Sequence, residues 1–127
     1  MAAYAAQQSY QQNDVLTATP GRLVVLLYDG AGRFLRRAAT AMRAGNVQAT
    51  NTSLQRAEAI IDELLTTLDF DRGGEIAASL RDLYLFCQRH LNEARIERDA
   101  DKIDVVAELL GELREAWAQI DHAGVPA

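Results

Sequence analysis

Leu54-Gln55-Arg56-Ala57-Glu58-Ala59-Ile60-Ile61-Asp62-Glu63-Leu64-Leu65-Thr66-Thr67-Leu68 decides the fold class. Leu54, Ala57, Ile61, Leu64, Leu65 and Leu68 recur at three- and four-residue steps, the spacing that gathers side chains on one face of an α-helix. Upstream, Gly45-Asn46 supplies a stop and a start. Glycine tolerates the left-handed conformation that ends a helix, and the asparagine side chain can accept an orphan amide of the next one. This helix therefore reads as about Val47 to Leu68. Its early turns (Gln48, Thr50, Asn51, Thr52) are polar, so that end is expected to be exposed or loosely packed. Downstream, Asp69-Phe70-Asp71-Arg72-Gly73-Gly74 reads as a loop.

The same reading extends in both directions. Thr19-Pro20 is a good opening for an earlier helix: the hydroxyl accepts an amide, and proline has none to satisfy. Leu23, Leu27, Phe34 and Ala38 mark its expected inner stripe. A third helix is expected from near Glu75, whose charge complements the helix dipole. Ile76, Leu80, Leu83, Tyr84, Cys87, Leu91 and Ala94 would line one side of it. Asp99-Ala100-Asp101 interrupts that stripe and offers caps for a fourth helix, with Ile103, Val106, Leu109, Leu110, Leu113, Trp117 and Ile120 on its inner face. Helices of about 20 residues are about 30 Å long, and short connections favour antiparallel neighbours. The expected architecture is all-α: an antiparallel up-down-up-down four-helix bundle over residues 19–121, with a frayed tail at 122–127. Residues 1–18 hold four glutamines and only Tyr4, Tyr10, Val15 and Leu16 as large apolar groups. They cannot form a core alone, so the segment is expected to be mobile or to lie over the bundle as a lid.

Composition agrees. The chain has 127 residues, enough for one domain. It contains 22 Ala and 16 Leu against 3 Phe and 1 Trp, and its two prolines are Pro20 and Pro126, which favours helices over a sandwich or barrel. Thirteen basic against 18 acidic residues give a formal charge of −5. An acidic chain with no basic run is a poor ligand for nucleic acid or for an anionic membrane surface. The single cysteine, Cys87, excludes an internal disulfide framework and a multi-cysteine metal site. The longest apolar run, Leu23 to Tyr28, is far below the roughly 20 residues that span a bilayer. The first twenty residues lack a basic start followed by an apolar stretch, so no signal peptide is expected, and a cytoplasmic protein is.

That apolar run exceeds what a bundle needs. An amphipathic helix buries a stripe a little over about 100° wide. Leu23-Val24-Val25-Leu26-Leu27-Tyr28 goes fully around the helix, and three neighbouring helices cannot cover it all. Leu83-Tyr84-Leu85-Phe86-Cys87 repeats the pattern on the third helix. Either the N-terminal segment covers the surplus or a partner does. Gly30 and Gly32 lie mid-helix, where each costs about 1 kcal/mol relative to Ala. Close packing against a neighbouring helix and a shallow groove for a foreign helix would both account for them.

Catalytic chemistry finds little support. Metal sites in bundles use Glu-x-x-His pairs facing inward. His90 has Cys87 at that step and His122 has Gln119. His90 is expected to be a solvated helix residue, His122 to lie in the tail, and Cys87 to be a small core hydrophobe. Among the aspartates, Asp29 is spaced to pair with Arg33 at i,i+4, while Asp14, Asp69 and Asp71 fall in the leader or in turns. There is no phosphate loop, nucleophile elbow or zinc motif. No enzyme activity, metal or cofactor is expected.

Three segments carry a resemblance. Thr17-Ala18-Thr19-Pro20, then Leu23 and Leu27-Tyr28-Asp29-Gly30-Ala31, resembles the opening signature of the flagellin export chaperones, the FliS family of flagellar secretion chaperones. Gly73-Gly74-Glu75-Ile76-Ala77, followed by Leu80, Leu83 and Tyr84, resembles that family's second signature. Ala116-Trp117 matches its Ala-Trp near the end of the last helix. The likeness covers nearly the whole chain; departures lie in the Ala- and Gln-rich start and the short tail. It implies a cytoplasmic bacterial chaperone that binds the disordered C-terminal segment of flagellin, prevents premature polymerisation and keeps the subunit competent for flagellar type III secretion. The implied partners are that flagellin segment, the flagellar export gate, and an anti-sigma factor or flagellin-regulating protein, with no nucleic acid and no membrane insertion. Tyr10 aligns with a position implicated in substrate binding in the family, and the N-terminal segment is implied to occupy the empty groove. With the surplus faces, this gives the expected partner-binding residues: Tyr10, Val15, Leu16, Leu23, Leu27, Gly30, Ile76, Leu80 and Leu83. Two other readings of the bundle are self-association through the same apolar face, and a metal-bound enzyme suggested by fold analogy alone.

Overall fold

The first corner of the chain forms where Gly45 takes a positive φ of 74°. Its amide donates to the Met42 carbonyl at 3.1 Å, and the Asn46 amide donates to the Ala41 carbonyl at 2.9 Å. These two bonds satisfy carbonyls that the helix end leaves open. The Asn46 side chain then accepts the Ala49 amide at 3.0 Å and starts the next helix. The computed structural model describes residues 20–122, and four helices follow one another through them. They are α1 (Pro20–Arg43), α2 (Val47–Thr66), α3 (Phe70–Glu97) and α4 (Ala100–His122). Among the described residues no helix is long and apolar enough to cross a membrane.

Contacts between helices run in opposite directions along each neighbour. Gly30 and Phe34 of α1 meet Ile60 and Arg56 of α2. Asp29 and Arg43 of α1 meet Arg114 and Asp101 of α4. Glu58 and Asp62 of α2 meet Arg95 and Gln88 of α3. The helices thus form an antiparallel up-down-up-down bundle in which α1 sits between α2 and α4, and α3 lies diagonally across from α1. The packing is uneven: α1 lies broadly against α2 and α4, while α3 touches its neighbours much less.

The core is built from Tyr28, Leu35, Leu54, Ile61, Leu64, Tyr84, Leu91, Ile103, Val106 and Leu110, with Ala31, Ala38, Ala57 and Ala94 allowing close approach. Each buried aliphatic side chain contributes about 2 kcal/mol from water exclusion. Several local expectations are corrected. The buried stripe of α1 is Val25, Tyr28, Ala31, Leu35, Ala38 and Ala39; Leu23, Leu27 and Phe34 are only half-buried. The stretch Leu23–Tyr28 is apolar all round the helix and offers no period from which to choose the inner face. Thr50 is buried rather than loosely exposed, because its hydroxyl donates to the Asn46 carbonyl at 2.7 Å and needs no water. The expected loop at 69–74 contains a helical turn: Asp69 Oδ1 accepts the Asp71 and Arg72 amides, both at 3.1 Å. Ile76 and Ile120 are exposed rather than inward-facing. The backbone of α4 remains helical through His122.

Candidate functional site: an apolar groove between the first and third helices

The surplus of apolar side chains collects in one place. Leu23, Val24 and Leu27 of α1 form one wall of a groove of about 480 Å³. Ile76, Leu80 and Tyr84 of α3 form the other; Leu68 closes one side and Trp117 of α4 reaches in from below. The groove exists because α3 stands off from α1 on the bundle diagonal. Gly74, with φ 49° and ψ −119°, breaks α3 after its first turn and sets Phe70–Gly73 at an angle to the rest of the helix. That turn carries Arg72 to the rim, where its guanidinium Nε lies 3.8 Å from Asp69 Oδ2. Thr67, Asp69 and Arg72 are the polar edge of an otherwise apolar hollow.

The floor carries the most unusual chemistry. Tyr28 and Tyr84 are each 2% exposed, and their hydroxyls share a hydrogen bond. Burial pushes the Tyr28 phenol well above its ordinary range and raises that of Tyr84; the indole N–H of Trp117 works in the opposite direction on Tyr28. Next to them, burial raises the Cys87 thiol to about 11, which leaves it a protonated core side chain with no nucleophilic character at neutral pH. Among the described residues no cluster of three or more His, Cys, Asp or Glu could hold a metal ion. A second hollow, near the α3–α4 connection, is polar and spanned by the ion pairs of Arg43 with Asp101 and of Lys102 with Glu97. An apolar groove with a polar rim, whose floor hydroxyls are buried, neutral and bonded to each other, is suited to holding an apolar segment.

Four of the expected partner-binding residues, Leu23, Leu27, Ile76 and Leu80, meet in this groove. Gly30 is buried against α2, where a Cβ would stand 3.2 Å from Ile60 Cδ1. Leu83 is half-buried and does not line the hollow. Tyr10, Val15 and Leu16 lie outside the described residues. Sequence reasoning missed Val24, Leu68, Ala77, Tyr84 and Trp117 as lining residues. The clue to Tyr84 and Trp117 was available: large aromatics with a polar atom, placed in a core otherwise made of aliphatics. Two further side chains depart from expectation. Asp29 pairs with Arg114 of α4 at 2.9 Å instead of Arg33. His90 is half-buried, stacked on Phe86 with centroids 5.0 Å apart, and its Nδ1 lies 3.6 Å from Glu93 Oε2.

Comparison with known proteins places this architecture. A family model described as flagellar protein FliS matches residues 2–124. The chain is 39% identical to the flagellar secretion chaperone FliS of Bacillus subtilis over 111 residues, which cover 87% of this chain and 82% of that one. It is 40% identical to the flagellar secretion chaperone FliS of Salmonella typhimurium over 110 residues, covering 86% and 82%. The corresponding protein of Campylobacter jejuni is 35% identical over 117 residues, covering 92% and 91%. A crystal structure of a flagellar chaperone from bacteria shares the fold, with a TM-score of 0.77 at 22% identity over 95% of this chain and 98% of that one. On these likenesses and on its four-helix architecture, the chain belongs to the FliS family of flagellar secretion chaperones.

Proposed function

We propose that this protein holds the disordered C-terminal segment of newly made flagellin in the groove between α1 and α3, in the cytoplasm, until the subunit is exported. The observation that carries the reading is the apolar wall on each side of the groove, half-buried Leu23 and Leu27 facing exposed Ile76 and half-buried Leu80, in a chain of this family. A segment that becomes helical on binding would lay its apolar face between those walls, and burying it would block premature polymerisation. Ordering a disordered chain costs several kcal/mol, so contacts must extend beyond the groove itself. Residues 1–18 act in this scheme as an internal competitor: Tyr10, Val15 and Leu16 occupy the empty groove and give way to the client, lowering apparent affinity for weaker apolar segments. The loaded complex is then presented to the flagellar export gate, and an anti-sigma factor or a flagellin-regulating protein is a further partner.

Calorimetric titration with a roughly 40-residue C-terminal flagellin peptide tests the proposal, with 1:1 binding expected on an interface of ordinary size. Helix content should rise on mixing. Trp117 is the sole tryptophan and lines the groove, so its fluorescence should shift as the peptide enters. No heat and no change at Trp117 at micromolar concentrations would overturn it.

A further inference from the structure

Direct packing between α1 and α3 is slight, because the two helices lie on the bundle diagonal. Among the described residues, the side-chain hydrogen bond that joins them is the one between the hydroxyls of Tyr28 and Tyr84. The two rings are tilted at 47°, with centroids 6.5 Å apart, and both are buried. Tyr84 lines the groove, while Tyr28 stands behind it and does not. Phenylalanine at both positions would fill the same space without requiring a partner, so stability alone does not explain two hydroxyls facing each other in an aliphatic core. A paired polar contact does what apolar packing cannot: it fixes one separation and one orientation.

We infer that the Tyr28–Tyr84 hydroxyl pair is a positioning element for the client, tying α1 to α3 beneath the groove so that its two walls are correctly spaced before the client arrives. The inference rests on the groove being the client's site. A groove already at the right width loses less freedom on binding, and this appears as affinity. Without the tie, the Leu23–Leu27 wall and the Ile76–Leu80 wall can drift, since little else joins α1 to α3 directly.

Three variants, Tyr28→Phe, Tyr84→Phe and the double variant, separate this role from a purely structural one. Tyr28→Phe leaves the buried Tyr84 hydroxyl without its partner and should lower the urea midpoint; Tyr84→Phe should lower it less, because the Trp117 indole still faces the Tyr28 hydroxyl. The double change removes both hydroxyls and should recover most of that loss. Affinity for the C-terminal flagellin peptide should instead stay about fivefold below wild type in all three variants, including the restored double. Tyr28→Phe is the sharpest case, because it alters no residue lining the groove. Affinity that returns to wild type in the double variant overturns the inference and makes the pair structural. Loss confined to variants carrying Tyr84→Phe makes Tyr84 a direct contact and overturns the positioning role. A double variant that does not fold also overturns it. Absence of peptide binding by the wild-type chain overturns the reading of the groove and this inference together, whereas wild-type binding with an unimpaired double variant overturns the inference alone.

Discussion

Arg114 of α4 holds Asp29 of α1 across the helix interface, guanidinium Nε to carboxylate Oδ1 at 2.9 Å, with both side chains about two-thirds covered (30% and 31% exposed). The pair joins the broadest interface in the bundle, close to the groove wall that α1 supplies. Partial burial lifts such a pair above the near-zero value of a solvated one without imposing full desolvation. Asp29→Asn should lower stability by about 1 kcal/mol in urea titrations at neutral pH. Arg33→Ala, which removes the partner that i,i+4 spacing suggests, should leave the midpoint unchanged. A double-mutant cycle of Asp29→Asn with Arg114→Gln should return a coupling of about 0.5–1 kcal/mol; coupling to Arg33 instead would contradict the observed pairing.

Gly30 supports a second prediction. A Cβ added there would stand 3.2 Å from Ile60 Cδ1, the free end of a half-buried side chain. A small shift of Ile60 can relieve that approach, and alanine gains about 1 kcal/mol of helix propensity over glycine. Gly30→Ala should therefore be close to neutral in thermal unfolding. Gly30→Leu should lower stability by about 1–3 kcal/mol, because no rotamer escapes the α1–α2 interface. Client affinity should follow folding in both variants, since Gly30 does not line the groove.

What the sequence reveals about this molecule divides along a physical line. Corners are local chemistry, so they are legible: the Gly45 stop, the Asn46 cap and the Asp99 side chain, which accepts the Asp101 amide at 3.0 Å, can all be read from a few neighbouring residues. The α2 stripe is legible because it alternates cleanly with charged residues. The inner face of α1 is not, because six consecutive apolar residues carry no phase, and the true face lies at Val25, Tyr28 and Leu35. The groove is half legible for the same reason. The surplus on α1 and α3 signals a shared surface, but which surplus residues meet depends on how far α3 stands from α1. Partners distant in sequence, Asp29 with Arg114 and Tyr28 with Tyr84, depend on tertiary register that no local spacing encodes.

Cys87 gives the molecule an alkaline limit. Burial raises its thiol from an ordinary 9.0 to about 11. Below pH 9 folded and unfolded chains are both protonated there and stability is unaffected. As pH climbs toward 11, the unfolded chain releases a proton that the folded chain keeps, so stability falls. Tyr28 and Tyr84, also raised by burial, extend the loss above their ordinary value of 10.0. Urea midpoints should be flat from neutral pH to about 9 and then decline. In Cys87→Ala, lower overall because of the cavity, the decline should begin nearer 10. Ellman's reagent should find no reactive thiol in the native protein at pH 8 and one per chain in denaturant.

Ile76 separates stability from client capture most cleanly. It lies on the groove's α3 wall and is 71% exposed, so the isolated fold gains almost nothing from its side chain. Burying an isoleucine against a client returns about 2 kcal/mol. Ile76→Ala should therefore weaken flagellin-peptide binding roughly thirtyfold while leaving the melting temperature within a degree or so. Ile76→Glu adds an unpaired carboxylate that must be desolvated against an apolar segment, and binding should fall below detection at micromolar peptide. Leu110→Ala, in the buried core away from the groove, is the converse control: it should lower stability by about 2–5 kcal/mol and affect binding only through the folded fraction. Because α3 is the least tightly packed helix, Ile76 can also follow a client that seats slightly off register. The Ile76→Ala loss should consequently vary among flagellin tails of different sequence, largest where an apolar side chain faces this wall. A uniform loss of stability with unchanged affinity would place Ile76 outside the client's path and move the binding surface elsewhere on the bundle.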